Sequence, residues 1–171
     1  IRFVCEFTPQ EPAETGLDRV RFLMSANVGE ALKPLSKVAS GGELARIMLA
    51  MKQVLAQQDG VPTLIFDEVD AGVSGRAAQK VALKLWAVSK GRQVLCVTHL
   101  PQIAAMADAE FTVEKRVEHE RTYTSVLHLD DAGRRQELAR LIGGSMITET
   151  TLAGAAELLR LADEAKKGDI T

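Results

Sequence analysis

Thr63-Leu64-Ile65-Phe66-Asp67-Glu68-Val69-Asp70 is a short apolar strand that runs straight into two adjacent carboxylates. A second apolar run, Gln93 to Thr98, follows it. Between them Ala78, Val81, Ala82, Leu85 and Trp86 recur at helical spacing, and Gly91 ends the helix. Two apolar strands joined by one helix make a βαβ unit. Its strands should be parallel, its crossover right-handed and, given their unbroken hydrophobicity, its sheet buried on both faces. Open α/β sheets bind ligands at the carboxyl ends of their strands. Parallel strands bring those ends to one edge, so Asp67 and Glu68 should meet His99, which closes the second strand as Val97-Thr98-His99. A carboxylate there can hold Mg²⁺ and its neighbour can orient or deprotonate a water. A histidine beside them suits contact with a phosphate or with that water.

Upstream, Val38-Ala39-Ser40-Gly41-Gly42-Glu43-Leu44 opens another helix, whose apolar face carries Leu44, Ile47, Met48, Met51, Val54 and Leu55. Ser40 and Glu43 fit a capping box. Capping does not require Gly41 and Gly42, each of which costs about 0.5–1 kcal/mol relative to alanine inside a helix. Paired glycines there suit a close approach to the backbone, and a helix N-terminus with free N–H groups suits a phosphate. No G-x-x-x-x-G-K-[ST] loop occurs anywhere in the chain, so a triphosphate site built on these residues must be completed by another segment or another chain.

The remaining sequence frames this core. Ile1 to Thr8 and Val20 to Ala26 read as strands around a turn-rich Pro9 to Asp18, and Asn27 to Ala39 reads as a loop. Gln57 to Pro62 breaks the glycine-led helix, and Pro101 to Ala107 is a short helix. Phe111 to Val117 and Thr122 to Leu129 form a hairpin around Glu118-His119-Glu120-Arg121, with His119 and His128 solvated. Gln136 to Ile142 and Leu152 to about Ala165 are helices, stopped by Gly143-Gly144 and Lys166-Lys167-Gly168. At 171 residues the chain fits one domain, and 46% hydrophobic with 26% charged residues is ordinary for a globular protein. A net charge of -2 gives no overall basic footprint for nucleic acid. Cys5 and Cys96 read as buried, reduced thiols, and the five methionines as core filler. No apolar run approaches the roughly 20 residues needed to span a bilayer, so a cytoplasmic protein with no membrane partner is expected. The opening in strand-like sequence at Ile1 suggests a piece of something longer.

These motifs resemble the C-terminal part of an ATP-binding-cassette ATPase head. Ser40-Gly41-Gly42-Glu43-Leu44 resembles the signature motif, Thr63 to Glu68 the Walker B strand, Asp70 to Ser74 the D-loop and His99 the switch histidine. Asp67-Glu68-Val69-Asp70 is similar to the SMC-like branch, since transporters usually place Pro after the acidic pair. Within that branch Phe22-Leu23-Met24-Ser25-Ala26-Asn27, Leu32-Lys33-Pro34-Leu35, Lys37 to Arg46, Gly72 to Ala78, Thr98 to Ala105 and Ala139 to Gly144 resemble the RecN family of bacterial DNA double-strand-break repair proteins. Ser74 departs from the wider superfamily, where most D-loops carry Asp.

The resemblance implies an α/β fold: the C-terminal lobe of an ABC/SMC-type P-loop ATPase head, with a parallel βαβ core, flanking helices and a terminal β-hairpin. Residues 1–171 would form that single lobe, with the Walker A lobe and a long coiled coil preceding it. Asp67 would hold Mg²⁺, Glu68 polarise the attacking water and His99 contact the γ-phosphate of ATP. Ser40, Gly41, Gly42 and Glu43, with Asp70 and Ser74 of the D-loop, would contact nucleotide across a homodimer of heads. Other implied partners are the protein's own N-terminal head lobe and DNA, in a bacterial, nucleoid-associated setting. The isolated segment would lack hydrolysis without Walker A; an inert binding module and an ATPase motor segment of another SMC-like or transporter protein are the competing readings.

Overall fold

The structure, a computed structural model, describes residues 2–25, 29–37, 40–55, 58, 60–119 and 121–168. Parts of the loops expected at 27–39 and 57–62, the end of the strand expected at 20–26 and position 120 of the hairpin turn lie outside the described residues. The order is β1 (Arg2–Ala13), β2 (Gly16–Ser25), β3 (Lys33–Pro34), a 3-10 turn, α1 (Gly41–Val54), β4 (Thr63–Phe66), α2 (Gly75–Ser89) and β5 (Gln93–Cys96). Then come α3 (Pro101–Ala104), β6 (Phe111–Glu118), β7 (Arg121–His128), α4 (Asp131–Gly143) and α5 (Glu149–Lys167).

β4 and β5 pair in parallel through α2, with Phe66 opposite Cys96, as the βαβ pattern requires. The core forms on one side of this pair. Leu64 and Phe66 of β4 pack with Leu49 of α1, Val81, Ala82, Leu85 and Val88 of α2, Ile103 beyond β5 and Leu138, Ala139 and Ala155 of the last two helices. Burial on both faces is not what the structure shows. Ile65 and Val97 are 71% and 65% exposed, and Leu95 is exposed beside them. The strands are apolar throughout, yet the helices cover a single face. Leu44 and Met48 of α1 flank an apolar hollow of about 350 Å³ against Ile65.

Several other expectations change. Pro9 to Asp18 is mostly strand, because β1 and β2 pair as one long antiparallel hairpin as far as Ala13 opposite Gly16, with a bulge after Pro9. An exposed strand tolerates proline at such an irregularity. The loop after β2 holds a short β3 strand, paired through Leu23 and Met24. α4 begins at Asp131, because the Asp130 carboxylate accepts from the Gly133 N–H at 2.7 Å. α5 begins at Glu149 through a reciprocal Thr148–Thr151 capping box. The β6–β7 hairpin is therefore followed by two helices and is not terminal. Arg134 and Lys166 on those helices both donate to the Ala107 carbonyl, which ties them to the segment after α3. Cys5 is exposed, as are Met48 and Met146, whereas Met24 and Met106 are buried. Among the described residues no helix is long and apolar enough to cross a membrane.

Candidate functional site

Parallel pairing places the ends of β4 and β5 side by side: the Val97 N–H donates to the Phe66 carbonyl at 3.0 Å. The chain then turns sharply on both strands, and a cleft of about 500 Å³ opens on this edge. Asp67, Glu68 and Asp70 line it from β4, Thr98 and His99 from β5, and Ser40, Gly41 and Gly42 from the start of α1. Acidic pair, imidazole and glycine-led helix, far apart in sequence, therefore share one site. Glu43 and Ser74 are not among its lining residues. Glu43 turns back to accept from the Ser40 N–H at 3.0 Å, while the Glu43 N–H donates to Ser40 Oγ at 3.4 Å, completing the capping box. Ser74 occupies the N-cap of α2 with no hydroxyl cap bond.

The turn after β4 is built for display. Glu68 has φ +57°, a left-handed conformation that costs a non-glycine residue roughly 1–2 kcal/mol. Its N–H donates to Asp67 Oδ1 at 2.9 Å and its carbonyl accepts from the Ala71 N–H at 2.9 Å, which holds the strained residue in place. Strain of this kind concentrates at functional sites. Arg46 reaches from α1 to donate to the carbonyls of Val69 (3.2 Å) and Ala71 (2.7 Å), so the glycine-led helix and the acidic turn are clamped together.

The glycine pair has an internal reason as well as an external one. A Cβ on Gly42 would lie 2.8 Å from Ala71 Cβ and 2.9 Å from the carbonyl oxygens of both Glu68 and Ala71, none of which can swing aside. A Cβ on Gly41 would meet only the end of the Glu68 side chain. Gly42 thus lets α1 press against the acidic turn. Gly41, which is exposed, leaves room for the Glu68 carboxylate at the mouth of the cleft.

Asp70 behaves differently from the other acids. Its side chain is 5% exposed, Oδ2 accepts from Thr98 Oγ1 at 2.6 Å and from the His99 N–H at 2.9 Å, and His99 Nδ1 lies 3.0 Å from the same oxygen. Burial pushes its pKa up, but the Thr98 hydroxyl, the His99 N–H and the His99 ring outweigh that, and the net shift is downward. Asp70 lines the cleft, and its carboxylate, carried by the turn after β4, is bonded to the tip of β5. Nearby, burial and then the charges of Asp70 and Asp67 push the Cys96 thiol up to about 12, so it stays protonated and unreactive. Among the described residues no three His, Cys, Asp or Glu side chains cluster to cage a metal. Asp67 is the carboxylate at the end of β4 that could hold a hard cation.

The chain superposes on a solved structure from work on ATP-driven dimerisation and DNA-stimulated activation of SMC ATPases, with TM-score 0.51 and 20% identity over 84% of each chain. The chain shares the fold of that SMC ATPase structure. No family model matches. Over most of its length the chain is similar to one segment of the DNA repair protein RecN. It is 51% identical to RecN of Bacillus subtilis over 158 residues, covering 92% of this chain and 27% of that protein. Identity is 49% over 160 residues to RecN of Treponema pallidum (94% and 28%) and 45% over 148 residues to that of Streptomyces coelicolor (86% and 26%). The chain therefore spans about a quarter of the length of these relatives.

Proposed function

We propose that this chain is the C-terminal lobe of the ATP-binding and hydrolysing head of a RecN-type DNA double-strand-break repair protein, and that nucleotide-driven pairing of two heads is what it contributes. One observation carries the reading: a single cleft gathers a capped, glycine-led helix start, an acidic pair and a histidine. In this reading Asp67 would hold Mg²⁺, directly or through water, an ion that would supply positive charge against the terminal phosphates. Glu68, displayed by its left-handed backbone, orients or deprotonates the attacking water, and His99 contacts the γ-phosphate. Ser40 and Gly41 lie exposed at the mouth of the cleft with Gly42 buried behind them, and this helix start meets the triphosphate bound by a second head. ATP then favours the paired state because only there does it touch both halves. The interface is two-fold and self-complementary.

The lysine-bearing loop that would cradle the phosphates comes from elsewhere in the full-length protein, whose N-terminal head lobe would also cover the apolar face at Ile65, Leu95 and Val97. The segment alone is then a binding module without turnover. Engagement of DNA belongs to the assembled protein. The test is Glu68→Gln in the full-length protein: ATP-bound dimers accumulate in sedimentation and turnover collapses. Turnover at the wild-type rate removes Glu68 from this role, and the hydrolytic reading with it.

A further inference from the structure

We propose that Asp70 is a positioning residue that fixes which ring nitrogen of His99 works in the cleft. The inference rests on the nucleotide-site reading above and deepens it. An ionised carboxylate only accepts hydrogen bonds, so with Nδ1 3.0 Å from Asp70 Oδ2 a proton on Nδ1 is attracted and a lone pair there is repelled. The partner of one ring nitrogen decides what the other can do. With Nδ1–H held, Nε2 is the nitrogen left for a ligand, and the His99 side chain is 73% exposed where it lines the cleft.

The anchor is braced from its own side. Thr98 Oγ1 accepts the Leu100 N–H at 3.1 Å, which directs its single hydroxyl proton to Asp70 Oδ2 at 2.6 Å. The His99 N–H donates to the same oxygen at 2.9 Å. A buried group on the β4 turn thus sets the backbone, the ring angle and the tautomer of a histidine carried by β5. Because Arg46 grips the carbonyls on either side of Asp70, the start of α1 is built into the same support.

The experiment is a double-mutant cycle on ATP turnover by the full-length protein, using Asp70→Asn and His99→Ala. An asparagine keeps the shape of Asp70 but can present either an acceptor or a donor to Nδ1, so the tautomer is no longer fixed. Asp70→Asn is expected to lower kcat on the order of tenfold or more with KM unchanged within about twofold. In the His99→Ala background it should cost no more than about twofold further, because its effect runs through the ring. A second comparison does not depend on Asp70→Asn folding. Gln at 99 places its amide nitrogen near Nε2 and Asn places its own near Nδ1, so His99→Gln should retain several-fold more turnover than His99→Asn. Full additivity in the cycle, or equal or greater turnover by His99→Asn, overturns the inference. Wild-type turnover by His99→Ala overturns instead the reading of the site on which it rests.

Discussion

Replacing Gly42 with alanine sets two known effects against each other. In an exposed helix the change gains about 1 kcal/mol of helix propensity. Here the new methyl would sit 2.8–2.9 Å from Ala71 Cβ and from two backbone oxygens, well inside the repulsive wall. Restoring ordinary contact requires the start of α1 and the acidic turn to separate by about half an ångström. Overpacking of this kind costs about 1–3 kcal/mol, which exceeds the propensity gain. The separation also stretches the Arg46 bonds and moves Glu68, and small misplacements of reacting groups are costly to turnover. Gly41→Ala is the internal control, because its methyl meets only the mobile end of Glu68. Native-state hydrogen exchange read at residues 41–46 and 67–72, with ATP turnover, separates the two. Gly42→Ala should lose protection and turnover together. Gly41→Ala should keep or gain protection while turnover falls. Gly42→Ala with protection equal to or above wild type would refute the packing argument.

Other consequences are equally concrete. Leu138 is fully buried between the last two helices and the core, so Leu138→Ala should destabilise by about 2–5 kcal/mol in chemical unfolding; a loss below about 1 kcal/mol would mean that the site collapses. The folded-state pKa of Asp70 lies below the ordinary value of 3.8. The stability it contributes is therefore fully present above that value and is lost as pH falls through the folded pKa. The stability gap between wild type and Asp70→Asn, measured by unfolding at stepped pH, should shrink below about pH 4; a gap that widens there has the wrong sign. Replacing both Ile65 and Val97 by Thr should leave the stability of this chain within about 0.5 kcal/mol, since both side chains are already wet, and should raise its solubility. A large loss would show that this face is buried.

The βαβ core was legible because its signals are of different kinds and agree: unbroken apolar strands at 63–66 and 93–96, and a 3.6-residue period from Ala78 to Trp86 between them. Convergence of Asp67, Glu68 and His99 followed from parallel topology alone. What escaped notice depended on atoms distant in sequence. Pro9 to Asp18 has the composition of a turn, and only pairing with β2 makes it strand. Period 2 and period 3.6 report an apolar face without saying whether anything covers it, so Ile65 and Val97 read as buried. The start of α4 was masked by Gly133 in its first turn, although Asp130 is a strong cap signal in retrospect. In the site, the glycine pair read only as room for a ligand, whereas Gly42 also makes room for Ala71. Arg46 carried no motif, and its function as a clamp exists only once α1 meets the acidic turn. The left-handed backbone of Glu68 and the inward commitment of Asp70 are likewise properties of the fold.

The central claim, that the start of α1 meets a triphosphate bound by a second head, is tested most directly by Ser40→Arg in the full-length protein. Ser40 is exposed at the cleft mouth, so the larger cation should block the approach of a partner while each head still binds its own ATP. Sedimentation with ATP should then show a nucleotide-bound protein whose heads do not pair and whose turnover is lost. Head pairing and turnover at wild-type levels would contradict the account.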